Sequence, residues 1–236
     1  MRYDLYQYIT ENENTILIHN EMFPYKHERI LNFSISEFST LGVAKGLALQ
    51  GYKVIVFDTL GFLFFKNIYM LNEVSNWENV YLCVGGCGFT YHPIPHHTLY
   101  NDLVIANFLG CKLFSPITKQ ELYSILNTKY TDPCYIRLFP EVQPYIKLKP
   151  IKSKVPVVAY GWIYEYLKQY VLPIIRWDLS SDIPYESILI EDHIRWKNTK
   201  YWFGITKEQA IQSKESMNTF LAKAWYYVYE INKKFV

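Results

Sequence analysis

The sequence predicts an α/β protein with two open, mostly parallel sheets. Three observations predict it. Apolar spacing alternates between helical and strand-like periods along most of the chain. Two strand-like runs, Lys53-Val54-Ile55-Val56-Phe57 and Val80-Tyr81-Leu82-Cys83-Val84, are almost wholly apolar, as strands covered on both faces are. The alternation stops once, between Pro140 and Lys154, where three Pro and four Lys follow no apolar period. Strands alternate with helices on either side of this stretch, so each side reads as a parallel α/β unit. The expected units are residues 1–145 and 155–236, joined by a linker over residues 146–154.

In chain order, residues 2–11 read as a helix and 15–19 as a strand. Residues 29–35 form a short extended piece. Leu41, Ala44, Leu47 and Ala48 repeat at helical spacing within 37–50, and Gly51 supplies the stop. A buried strand follows at 53–57, a helix at 62–72 and a second buried strand at 80–84. A helix at 101–108, a strand at 112–114, a helix at 119–127 and a strand at 135–138 complete the first unit. Beyond the linker, 155–160, 172–177 and 187–191 read as strands, with helices at 162–170 and 206–233.

Composition narrows the function. Twenty-four Lys and Arg against 22 Asp and Glu give a net charge of +2, which offers no basic field for nucleic acid. Apolar residues make up 50% of the chain, ordinary for a folded domain and too rich for disorder. No apolar run approaches the roughly 20 residues that span a bilayer, and no secretory h-region follows Met1. The expectation is a cytoplasmic protein with no membrane contact. The four Cys form no C-x-x-C pair and read as reduced thiols.

Open α/β sheets carry their chemistry in loops at the carboxyl ends of the strands. The longest such loop, Gly85 to His97, holds three His, three Gly and two Pro. Its G-G-x-G lacks the G-x-G-x-x-G spacing of a nucleotide fingerprint, and its glycines suit positive φ and close backbone approach. Adjacent His96 and His97 diverge and make a poor pair of ligands for one metal ion. No metal site is expected. Glu37, taken alone, is a first-turn Glu favoured by the helix dipole.

The ordered run of short words says more. Asn32-Phe33-Ser34-Ile35-Ser36-Glu37-Phe38, followed by Gly42-Val43-Ala44-Lys45-Gly46-Leu47-Ala48, resembles the N-x-G-I-x-E-x…G-x-A-x-G-x-A signature of transketolase-like proteins. Phe62-x-x-Phe65 resembles the family's F-x-x-F, and Val84-Gly85-Gly86-Cys87-Gly88 its V-G-x-G-G loop. Pro95-His96-His97 with Asp102 resembles G-P-T-H-H/Q-x-x-E-D. Phe114-Ser115-Pro116 resembles V-x-x-P, and Tyr135-Ile136-Arg137-Leu138 resembles Y-I-R-L. Past the linker, Ile188-Leu189-Ile190-Glu191-Asp192-His193 resembles the V-x-V-E-x-H strand of the family's C-terminal domain, here in a shortened form.

The resemblance implies a thiamine-diphosphate-binding pyrimidine-domain fold followed by a small transketolase C-terminal-like domain. It implies that Glu37 contacts N1′ of the cofactor's aminopyrimidine and drives its imino tautomer, which takes the proton from thiazolium C2. Phe62, Phe65, Gly85 and Gly86 would line the pyrimidine. His92, His96 and Arg137 would face the substrate, with His96 also catalytic. The family holds the diphosphate and its Mg²⁺ on a separate G-D-G…N domain, and this sequence contains no Gly-Asp-Gly. The implied enzyme is therefore a split transketolase moving a two-carbon ketol unit between sugar or sugar-like substrates. A partner subunit would hold the diphosphate and Mg²⁺ in an α₂β₂ assembly, with self-association through the pyrimidine domain.

Some positions depart from the family. Phe38 follows the Glu, His92-Pro93-Ile94-Pro95 stands for D-G-P-T, and Phe139-Pro140 replaces the end of R-L-G-R. These bear on the substrate more than on the cofactor. The competing readings are the β subunit of a 2-oxoacid dehydrogenase, which shares the G-I-x-E word, and a non-catalytic interaction module. An unrelated flavodoxin-like binding protein would explain the alternation but not the ordered words.

Overall fold

A computed structural model describes residues 1–59, 62–63, 67–72, 78–85, 102–139, 145–192, 195–204 and 217–235. Ten strands form two all-parallel sheets among these residues. The first sheet contains β1 (Thr15–His19), β2 (Ile30–Asn32), β3 (Lys53–Thr59), β4 (Val80–Gly85), β5 (Lys112–Phe114) and β6 (Cys134–Arg137), in the order β2-β1-β3-β4-β6-β5. The second contains β7 (Ile151–Ala159), β8 (Val171–Arg176), β9 (Ile188–Ile190) and β10 (Tyr201–Phe203), in the order β10-β9-β7-β8. The fold class expected from the sequence is the one observed.

The helices form where the apolar spacing demands. In α1 (Arg2–Glu11), Leu5, Tyr8 and Ile9 turn inward. In α2 (Glu37–Leu49), Glu37, Thr40, Leu41 and Ala44 do so at positions i, i+3, i+4 and i+7. Gly51 ends that region at φ +90°, where a glycine is at no disadvantage. The short helices α3 (Ile68–Asn72) and α4 (Asp102–Phe108) follow β3 and β4. In α5 (Lys119–Asn127), the Thr118 hydroxyl caps the start by accepting from the Glu121 N–H at 3.2 Å. In the second unit, α6 (Gly161–Leu167) and the 17-residue α7 (Met217–Lys233) cover one face of the sheet. No helix among the described residues is long and apolar enough to cross a membrane.

The central strands are buried on both faces, which explains their unbroken apolar runs. In β4, Val80, Leu82 and Val84 enter the core beneath α2, α3 and α4, while Tyr81 and Cys83 enter the core beneath α1 and α5. The first of these cores continues into the second sheet through Val158, Tyr160, Trp177 and Leu189. Residues on the other side of β7 and β9, including Val157, Ala159, Ile188 and Ile190, pack on α6 and α7. One apolar core thus joins the two sheets.

Three elements differ from the sequence expectation: the helix expected over 62–72 is helical at 62–63 and 68–72 with a turn at Asn67, and two strands differ as well. Strand β7 begins at Ile151, inside the expected linker. Its Lys152 and Lys154 point out while Ser153 and Val155 point in, so a period of two is present under a basic composition. Strand β10, Tyr201–Phe203, was not expected as a strand; it adds three half-buried aromatics to the sheet edge.

Candidate functional site

The carboxyl ends of β1, β2, β3, β4 and β6 line one edge of the first sheet. At the end of β2, the Asn32 Oδ1 accepts from the Ser34 N–H at 2.9 Å and from the Glu21 N–H at 3.1 Å. This side chain ties the approach to α2 onto the segment after β1. Ser34 sits at φ +51°, in the left-handed region where the resembling signature carries Gly. Ser34→Gly is therefore expected to stabilise the chain by about 1 kcal/mol, the relief of strain being partly offset by the freer unfolded chain. Chemical denaturation of both forms checks it.

The turn at Ser34 delivers Glu37 as the first residue of α2. Glu37 is 7% exposed, while its neighbours Ile35 and Phe38 are 77% and 54% exposed. The carboxylate is tucked at a helix start and flanked by apolar side chains that stand out. The unsatisfied amides of the first turn favour its negative charge.

Behind it runs a buried chain of hydrogen bonds that sequence reasoning missed. Thr40, one turn beyond Glu37, donates its hydroxyl to the Asn20 Oδ1 at 2.8 Å. The Asn20 amide donates to the Asp58 Oδ2 at 2.9 Å. This path links the first turn of α2 to the ends of β1 and β3, and so fixes the height of Glu37 above the sheet. Its sequence signal was a polar residue after each of two strand runs, Thr15–His19 and 53–57.

Gly85 closes β4 opposite Thr59. A Cβ at Gly85 would stand 3.0 Å from the Phe57 Cζ, closer than a buried ring accepts without moving. Phe57 itself is held edge-on by Phe23 at 5.1 Å. A side chain at this strand end would therefore crowd the Phe57 ring, and the glycine leaves the backbone uncovered there. Phe62 lies half-buried three residues beyond β3, and its carbonyl accepts from the Asn67 amide at 3.2 Å. Phe65, Gly86, His92 and His96 lie outside the described residues.

Comparison with known families gives the family of the first unit. The model of the transketolase pyrimidine-binding domain matches residues 11–140, more than half of the chain. The chain belongs to the transketolase pyrimidine-binding-domain family. A curated relative, one of the subunits of the apulose-4-phosphate transketolase of Actinobacillus succinogenes, is 31% identical over 125 residues, which is 50% of this chain and 40% of that protein. The matched part thus spans less than half of that relative. Among solved structures, a split-gene transketolase described as an inactive β4 tetramer superposes at a TM-score of 0.71, with 16% identity, over 99% of this chain and 95% of its own. Transketolase from Campylobacter jejuni superposes at 0.69 with 13% identity, over 99% of this chain and 46% of its own. These two likenesses show the fold of both units.

Against the transketolase frame, Arg137 is placed differently from the sequence expectation of a substrate contact. It ends β6, its side chain is 3% exposed, and its donors meet protein groups. Its Nε lies 3.0 Å from the Asp102 Oδ2, and its Nη1 lies 2.8 Å from the Asp192 Oδ1 and 3.0 Å from the Tyr160 hydroxyl. Asp192 also accepts from the Tyr160 hydroxyl at 2.7 Å and the Trp162 indole at 2.8 Å. Tyr135 donates to Asp102 at 2.6 Å. Burial alone would raise the Asp192 carboxyl, but the Arg137 charge and these hydrogen bonds outweigh it and hold the group below its ordinary value. Removing one partner of such a buried pair strands a charge, at a cost of about 3–5 kcal/mol.

The neighbouring Glu191 behaves in the opposite way. It is fully buried and accepts from the Trp202 indole at 2.7 Å. Burial pushes its carboxyl up to about 8, with Asp192 adding to the rise and the indoles of Trp202 and Trp196 and the Arg137 charge opposing it. A raised acid binds its proton more tightly in the folded state than in the unfolded one. Its stabilising contribution is therefore full below the unfolded value and is lost as pH rises through about 8. The expected slope in that window is at most about 1.4 kcal/mol per pH unit. Glu191→Gln should remove the slope, as seen in denaturant unfolding between pH 5 and pH 9.

Proposed function

We propose that this chain is the pyrimidine-binding subunit of a split, thiamine-diphosphate-dependent transketolase-like enzyme. The buried Glu37 carboxylate at the start of α2 carries the reading, together with Gly85 at the end of β4, where an added Cβ would crowd the Phe57 ring. The residues fit the aminopyrimidine end of the cofactor. Glu37 offers a shielded acceptor, Gly85 leaves the backbone bare, and Phe62 supplies an aromatic edge. The sequence has no Gly-Asp-Gly of the kind that holds the diphosphate and Mg²⁺ in the family, so these are assigned to a partner subunit.

When bound, thiamine diphosphate supplies the nucleophilic thiazolium carbon that carries a two-carbon ketol unit. Glu37 would hold a proton at N1′ of the bound aminopyrimidine and so set its tautomer, a role that a carboxylate shielded from water suits. On the family resemblance, Phe62, Phe65, Gly85 and Gly86 would wall the ring. His92 and His96 are assigned to the substrate, a phosphorylated ketose of the kind named in the curated relative.

The surface around Glu37 supports a partner. Ile35 and Phe38, on either side of Glu37 in sequence, are 77% and 54% exposed, apolar side chains that a partner would cover. The split-gene relative is described as a β4 tetramer and as inactive. On that analogy, this chain self-associates and gains activity in an α₂β₂ complex with the diphosphate-binding subunit, in the cytoplasm. Gentle purification of the tagged chain from its native cell tests this. A co-purifying polypeptide with a G-D-G…N motif supports the proposal. Partners lacking any diphosphate-binding domain would overturn it and favour the non-catalytic reading.

A further inference from the structure

We infer that Arg137 is a positioning residue through which the second sheet holds the cofactor half-site in shape, and that it binds no ligand itself. The inference rests on the reading that Gly85 faces the cofactor. Arg137 stands opposite Val84 in the ladder between β4 and β6, and the Leu138 N–H donates to the Val84 carbonyl at 3.0 Å. The next residue on β4 is Gly85. Any shift at the end of β6 is therefore passed directly to the strand end on which the half-site depends.

The guanidinium gathers groups from both halves of the chain. Asp102 and Tyr135 come from the first sheet and its helix α4, while Tyr160, Trp162 and Asp192 come from the ends of β7 and β9 and the start of α6. Both carboxylates are fully buried. The guanidinium lies within 3.0 Å of both buried carboxylates, so a substrate anion brought there would have to compete with two protein carboxylates for it. The planar fork instead fixes the angle between the two carboxylates, and with it the docking of the second sheet. Nearby contacts reinforce that docking. Arg176 on β8 grips Glu121 on α5 at 2.5 and 2.9 Å, and Gly161 packs against Ser115.

The test compares Arg137→Met, Asp192→Asn and Trp162→Phe in the full chain. Asp192→Asn keeps shape while removing charge, and Trp162→Phe removes one donor, so the comparison survives if Arg137→Met fails to fold. Amide exchange at Gly85 and Leu138 is read first, without partner or cofactor. Thiamine diphosphate binding to the reconstituted complex is read second, and KM for phosphorylated and unphosphorylated ketoses third. Asp192→Asn, altered only in the second half of the chain, should speed exchange at both amides about tenfold and weaken cofactor binding about as much. It should leave the ratio of the two KM values unchanged, with Trp162→Phe shifting the same readouts less. A rise in KM confined to phosphorylated substrate in Arg137→Met, with Asp192→Asn silent, would show Arg137 to be a substrate ligand and overturn the inference. So would a fall in thermal midpoint with exchange at Gly85 and Leu138 unmoved. If the wild-type complex binds no cofactor, the proposed function fails by itself, and the exchange readout still decides whether the second half holds the ends of β4 and β6.

Discussion

Glu37→Gln is expected to lower turnover by the reconstituted enzyme by about 10²–10⁴-fold, the range that a positioned acid–base group contributes. The amide has the size of the carboxylate but cannot take or hold the proton at N1′. Stability should hardly change, because a first-turn carboxylate contributes only about 0.3–1 kcal/mol through the helix dipole. The α2 start is also fixed independently by the Thr40–Asn20–Asp58 hydrogen bonds. Loss of activity with an unchanged unfolding curve therefore separates chemistry from folding. Full activity in the variant would remove Glu37 from the mechanism and leave an interaction module as the better reading.

Gly161→Ala is expected to cost about 2–5 kcal/mol of stability. Gly161 opens α6 at φ +50°, a conformation that costs a residue with a Cβ about 1–2 kcal/mol. The added Cβ would also fall on the Ser115 hydroxyl, at the end of β5. Neither side can retreat easily, because Trp162 beside it donates to the buried Asp192 and Pro116 beside Ser115 is buried. Denaturant unfolding measures the loss. Ser115→Gly in the same background should return the part due to the clash and leave the part due to φ. No loss in Gly161→Ala would mean that the two sheets do not approach as closely as the structure places them.

Much of this architecture was legible because the strands of a doubly covered sheet announce themselves. Val54 to Phe57 and Val80 to Val84 are apolar on both faces, and between them the helix spacing of Leu63 and Leu71 points into one core. Glu37 was legible from the order of short words, not from its own surroundings. Strand β7 was obscured by composition: Lys152 and Lys154 read as a solvated linker, although they are the outward positions of an alternating strand. Strand β10 is three residues long, too short for any periodicity to show.

The polar interior was the least legible part. Arg137 sits in the word Y-I-R-L, and a buried cation at a strand end reads naturally as a ligand for an anion. Its partners, Asp102 and Asp192, lie 35 and 55 residues away in sequence; the first unit brings Asp102 to it and the packing of the second sheet brings Asp192. The same holds for Asn20 and Thr40, which meet because β1 and α2 share an edge. Long-range polar contacts of this kind carry no local period and leave no mark in a window of sequence.

Titration of thiamine diphosphate and Mg²⁺ by calorimetry into this chain, into the diphosphate-binding partner, and into the two combined tests the central claim most directly. Stoichiometric binding by the pair, weak or absent binding by either chain alone, and weakened binding by the pair carrying Glu37→Gln are the predicted results. Stoichiometric binding by this chain alone, or no binding by the pair, would contradict the account of a half-site completed by a second polypeptide.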